Sequence, residues 1–183
     1  MSIYKGKGIK NVTILLSTGA SVDLPFGNTF TCEPEVDDIT YEGDGQTETE
    51  YVNMRLGGEI GGDKFSEEVL EALYGKTAVT SGLPSGEAKR YYFGENADLA
   101  GTQVAFIVDM YAIEDSAETE ETIRLNVFKA KVSPFTPPEG SNADKWAPIT
   151  FTWTAEKTLT DIEGTALPGV PAAGAFYSVG VLS

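Results

Sequence analysis

The sequence predicts a mainly β fold: a β-sandwich or partly open barrel of about seven or eight strands with one short flanking α-helix. Three observations lead there. Short segments alternate polar and apolar side chains, most cleanly in PITFTWTAEK, where Ile149, Phe151 and Trp153 face one way and Thr150, Thr152 and Thr154 the other. Glycine (20) and proline (9) punctuate the 183 residues often enough to keep elements short. Only FSEEVLEALYG, residues 65–75, carries both a helical apolar face and helix end signals. With 41% hydrophobic residues the chain can fill a core without disulfides or metals. One domain spans 1–183, with an extended N-terminal segment, a long hairpin about 33–63 and a C-terminal arm about 156–183.

The elements follow in order. NVTILLST (11–18) reads as a first strand that turns at Gly19. The next stretch is extended, with Pro25 and Pro34 confined to an edge or a bend because each removes a ladder donor. In TETEYVNMRLGGEI (47–60) Val52, Met54 and Leu56 share a face, and the segments flanking EGDGQ form a long hairpin. Gly57-Gly58 and Gly61-Gly62 read as flexible joints. For the helix, Ser66 caps the N-terminus, Glu67 and Glu68 complement its dipole, and Phe65 staples to Leu70. Val69, Leu70 and Leu73 form its apolar face, and Gly75 closes it in a left-handed conformation. AKRYYFGEN reads as a strand. TQVAFIVDMYAIED reads as one buried on both faces over Val104 to Val108. ETIRLNVFKAKV alternates through Ile123, Leu125 and Val127, then shifts phase to Phe128, Ala130 and Val132, which predicts a bulge or bend near 127–128. SPFTPPEGSNADKW (133–146) is a long loop. After a Gly/Pro/Ala-rich connector, FYSVGVLS closes with a last strand.

Charge is the outlier. Twenty-eight acids against thirteen bases give −15, which opposes ordinary binding of nucleic acid phosphates. From Glu33 to Asp63 there are ten acids and a single base, Arg55; from Asp109 to Glu121, six acids and none. A single cysteine, Cys32, fits folding in a reducing cytoplasm, and no apolar run is long enough to span a membrane. The N-terminal apolar stretch reads as a strand and not a signal peptide. No histidine is present, which removes the commonest general base, the Ser-His-Asp triad and most zinc sites, so no catalytic residue, metal or cofactor is expected. Glu48/Glu50 and Glu118/Glu120 are carboxylate pairs of the kind glycosidases use, but in so acidic a chain such spacing arises by chance. DDITYEGDG is dense in oxygen ligands without the spacing of a calcium loop.

Taken together, the extended first strand, the hairpin DDITYEGDGQTETEYVNMRLGGEI, the helix FSEEVLEALYG, the central strands VAFIVDMYA and LNVFKAKV, the alternating ITFTWTAEK and the tail resemble, in order and texture, the tail tube protein (major tail protein) of long-tailed bacteriophages. That resemblance implies a structural, non-enzymatic virion protein, made in the bacterial host cytoplasm and residing in the phage tail. Six subunits would form a ring whose inner sheets join edge to edge. Rings would stack through the hairpin and the arms, meeting other tail proteins at the tube ends. Genomic DNA would pass through without specific binding.

The acids then acquire a role, because a conduit that repels phosphates guides DNA without holding it. Glu48, Glu50, Glu118 and Glu120 are the expected lumen acids, and the hairpin tip with Glu42, Asp44, Gly45 and Gln46 is the expected contact to the next ring. The alternative is a non-catalytic binding module, such as a virion decoration protein or a carbohydrate-binding β-sandwich. In that case Tyr91, Tyr92, Trp146 and Trp153 would supply a stacking face.

Overall fold

The computed structural model describes residues 4–24, 29–43, 46–62, 67–92, 102–114, 117–133 and 149–182. Nine strands and one helix lie among them, and the strands form an antiparallel sheet that is not closed into a barrel. β1 (Tyr4–Leu16) turns tightly at Gly19, where φ is +79°, and returns as β2 (Ser21–Asp23). β3 (Thr29–Phe30), β4 (Glu33–Gly43) and β5 (Gln46–Gly62) follow. α1 (Glu67–Tyr74) precedes β6 (Gln103–Glu114), β7 (Ala117–Val132), β8 (Ile149–Ala155) and β9 (Tyr177–Leu182). The strand order is β2-β1-β6-β7-β8-β5-β3, with β4 added to β5 and β9 to β7.

The core lies where β1, β5, β6, β7 and β8 face α1, and Val12, Ile14, Leu56, Leu73, Phe106 and Trp153 are among its fully enclosed residues. The sheet curls enough to bring β3, at one end, over the core face of β6 and β8. Phe30, on the strand at one end of the order, stacks 5.3 Å from Trp153 and meets Phe106 edge-on at 5.5 Å. Such offset and T-shaped contacts are the favoured aromatic geometries.

The phase shift in β7 has a structural cause. Val104 pairs with Ala130 but Phe106 pairs with Val127, so Phe128 and Lys129 together oppose Ala105. This bulge moves burial from the odd positions Ile123, Leu125 and Val127 to the even positions Ala130 and Val132. β6 is apolar on consecutive residues because both faces are covered. Beyond the core side, Leu15, Ile107, Ile162 and Leu167 surround a small cavity of about 170 Å³ beside Ala105.

α1 buries Val69, Ala72, Leu73 and Tyr74. Its C-terminus is closed twice. Gly75 adopts φ +61° and donates its N–H to the Glu71 carbonyl at 2.7 Å, while Thr102 donates its own N–H to the Leu73 carbonyl at 2.7 Å. The Thr102 hydroxyl also reaches the Ala72 and Leu73 carbonyls at 2.9 and 3.0 Å. The expected cap Ser66 and staple residue Phe65 lie outside the described residues.

Three expectations require correction. Residues 88–92 of AKRYYFGEN make only an isolated bridge, Val79 to Arg90, and residues 93–96 lie outside the described residues. The paired glycines are not joints: Gly57, Gly58, Gly61 and Gly62 all sit in β5 and pair with β8. Gly58 is required because a Cβ there would meet the Thr31 carbonyl oxygen at 1.9 Å. Finally, Glu35 pairs with Arg55 and Asp37 with Val52, so a bulge at Asn53 and Met54 interrupts the face expected of Val52, Met54 and Leu56. Pro34 sits on β4, which is an edge strand as expected; Pro25 lies outside the described residues.

Candidate assembly surface

β5 belongs to the body only from Leu56 onward, where it pairs with β8. Residues 46–55 continue past the end of β8 with β4 alone as a partner. At about 3.3 Å per residue this gives a ribbon roughly 33 Å long. Every described side chain on β4, from Glu33 to Tyr41, is exposed, as are Thr49, Glu50, Met54 and Arg55. No strand among the described residues covers the outer edge of β4 or the β8-side edge of β5 over 46–55. A free two-stranded ribbon is marginal in water, and among the described residues nothing packs on this one beyond its own two strands.

The register sorts its side chains. Asp37, Ile39 and Tyr41 pair with Val52, Glu50 and Glu48, so these positions share one face. Asp38, Thr40 and Glu42 pair with Tyr51, Thr49 and Thr47 on the other. The first face is amphipathic: Ile39 and Tyr41 are 43% and 54% exposed among carboxylate positions. Only Arg55, at the root, supplies a cation on this ribbon. Gln46 pairs with Gly43 next to the tip, while Asp44 and Gly45 lie outside the described residues.

The second acid pair is elsewhere. Glu118 pairs with Ile113 at the far end of the β6–β7 hairpin. Tyr111 pairs with Thr122, so residues 119–121 together oppose Ala112. The irregularity thus falls at Glu120, next to the paired position Glu118. The structure thus brings Glu48 with Glu50 on one ribbon and leaves Glu118 and Glu120 on another. Along the same acidic run, Asp109 is neutralised. The Arg124 guanidinium donates to both its oxygens at 2.7 and 2.8 Å and holds its carboxyl below the usual range, with Lys10 adding to the effect. Arg124 rises correspondingly.

Two further edges are open. β9 pairs with β7 through Tyr177 to Val127 and Leu182 to Thr122, while its other edge has no strand among the described residues. Its side chains are exposed along its whole length, with Val179 at 61%. β1 pairs with β2 only through Thr13 to Leu15, so its outer edge over Tyr4 to Asn11 is open among the described residues. The solvated face of β1, β6 and β7 is hydrogen-bonded within itself. Thr13 donates to Asp23 at 2.6 Å, Asn126 to Ser178 at 3.2 Å and Lys10 to Thr122 at 3.3 Å. Arg124, Lys10 and the β9 edge were not singled out from sequence. The uncharged run FYSVGVLS was the available signal for an apolar edge, and alternation of Asp37, Ile39 and Tyr41 for the ribbon face.

Other features offer less chemistry. A cleft of about 580 Å³ at the ribbon root is lined by Glu33, Glu35, Arg55, Glu59 and Trp153, and the buried Trp153 Nε1 has no hydrogen-bond partner. Trp153 is 1% exposed and sandwiched in the core, so it cannot stack on a sugar. Tyr91 is half-buried and donates to Glu71 at 3.0 Å; Trp146 lies outside the described residues. Burial pushes the half-buried Cys32 thiol up, away from the reactive thiolate. Among the described residues no three acidic or sulfur side chains converge to hold a metal ion, and no helix is long and apolar enough to cross a membrane.

No family model matches the chain, and no curated protein matches it.

Proposed function

We propose that this chain is a structural virion protein of the tail tube type, self-assembling into stacked hexameric rings that form a conduit for DNA. The observation that carries this reading is the β4–β5 ribbon, whose described side chains are mostly exposed and whose two outer edges no strand among the described residues covers. The edges of β1 and β9 that no strand among the described residues pairs support it as well, since unpaired edges in a stable protein are ordinarily covered, blunted or paired. Hexameric rings, stacking and DNA passage come from the resemblance of segment order.

Within this reading the net charge of −15 keeps the bore repulsive to phosphate, with Glu48, Glu50, Glu118 and Glu120 as the proposed lumen acids. The ribbon tip, with Glu42, Asp44, Gly45 and Gln46, reaches the neighbouring ring. Sedimentation velocity of the purified chain tests the assembly. A concentration-dependent shift to a hexamer and larger species is expected; one slow boundary at every concentration contradicts the proposal. The runner-up, a carbohydrate-binding module, is weakened by the burial of Trp153.

A further inference from the structure

We propose that the outer edge of β4 in one copy pairs, strand to strand, with the outer edge of β1 in the next. This rests on the self-association reading above and names the two surfaces that meet. Among the described residues both are open backbone edges of comparable length: β4 over Glu33–Gly43, and β1 over residues 4–11, before β2 begins to pair at Thr13. An unpaired strand edge offers a ready row of N–H and C=O groups to another strand.

Charge selects the partner. β4 carries Glu33, Glu35, Asp37, Asp38 and Glu42 with no base, and its described side chains are all exposed. The chain up to Val22 carries Lys5, Lys7 and Lys10 with no acid. The acidic β6–β7 end does not intervene, because β6 occupies the opposite edge of β1; the acids in register there are Glu114, opposite Tyr4 at the tip of the strand, and Asp109, opposite Asn11 and already ion-paired with Arg124. Lys10 leans inward, with Nζ on Thr122 and 5.9 Å from the Tyr111 ring centre, so Lys5 and Lys7 are the positions left for an incoming strand. The β1 edge also carries two register shifts around Gly8 and Ile9. Lysines and bulges are the devices that ward off indiscriminate pairing, and a strand bearing acids turns the same lysines into a specificity device. The β9 edge is apolar and uncharged, and gives the acids of β4 nothing to recognise.

Because β4 and β1 lie at different places on one subunit, the contact is heterologous and propagates from copy to copy. Paired charge-reversal variants test it. K5E/K7E and D37K/D38K, each checked for an unchanged β circular-dichroism signal, should each weaken association by roughly tenfold or more. The equimolar mixture should recover association, since each variant then offers the other a complementary edge. A water-soluble carbodiimide, which joins amines directly to carboxylates, should link Lys5 or Lys7 of one wild-type copy to the β4 acids of another. Association of either variant at wild-type strength, no recovery on mixing, or cross-links between copies that bypass these residues overturns the β4–β1 contact while leaving self-association standing. A wild-type chain that never associates overturns both.

Discussion

At the residue scale, two positions carry sharp consequences. Gly58 has room for no side chain, because its would-be Cβ falls 1.9 Å from the Thr31 carbonyl oxygen and 3.0 Å from Trp153 Cζ2. Gly58→Ala should therefore cost about 3 kcal/mol in denaturant unfolding. Gly180→Ala, which meets no atom within 4 Å, should change stability by less than about 0.5 kcal/mol. The second position is Arg124. Asp109 has its folded pKa depressed chiefly by the Arg124 hydrogen bonds, so its contribution is present above the unfolded value of about 3.9 and is lost as pH falls through the folded value. Arg124→Met should lower Tm at neutral pH, and the gap to wild type should shrink steadily below about pH 4. A gap that is constant with pH would mean Arg124 acts through packing alone. Neither residue's role was legible in the sequence. Thr31 and Gly58 are brought together by the fold, and Asp109 meets Arg124 only once the β6–β7 register is set.

At the element scale, legibility follows how local each signal is. α1 was readable because its face and its C-terminal glycine lie within one short segment. The β7 bulge was readable because burial imprints its phase on consecutive residues. The segment at 88–92 was misread because its aromatic β-formers signal a strand, while its backbone finds only the single bridge from Arg90 to Val79. For the ribbon, the sequence showed a hairpin and its acids but not that it projects past the end of β8; that depends on where β8 stops at Ala155. Among the described residues of the ribbon no core side chain precedes Leu56, so replacing residues 36–53 with a tight turn should leave the β circular-dichroism signal intact and shift Tm by only a few degrees. The same deletion should abolish association in sedimentation velocity. Loss of folded signal would instead make the ribbon part of the folding unit.

At the scale of the whole molecule, the fold is an open antiparallel sheet with spare edges and an anionic surplus. The overall β class and the charge excess were visible in composition and alternation alone. Which edges stay open was not, because it depends on β8 and β9 sharing the same side of β7 while β5 follows only β8. In the proposed assembly, those edges are where copies would meet. Repulsion among copies at −15 each then has to be exceeded by specific edge contacts.

Electron microscopy of the purified wild-type chain at neutral pH tests that claim most directly. End-on averages should show six-fold rings with an open central bore, stacked into tubes in side view. Isolated particles of subunit size at every concentration, or rings whose bore is lined by lysine and arginine, would contradict it.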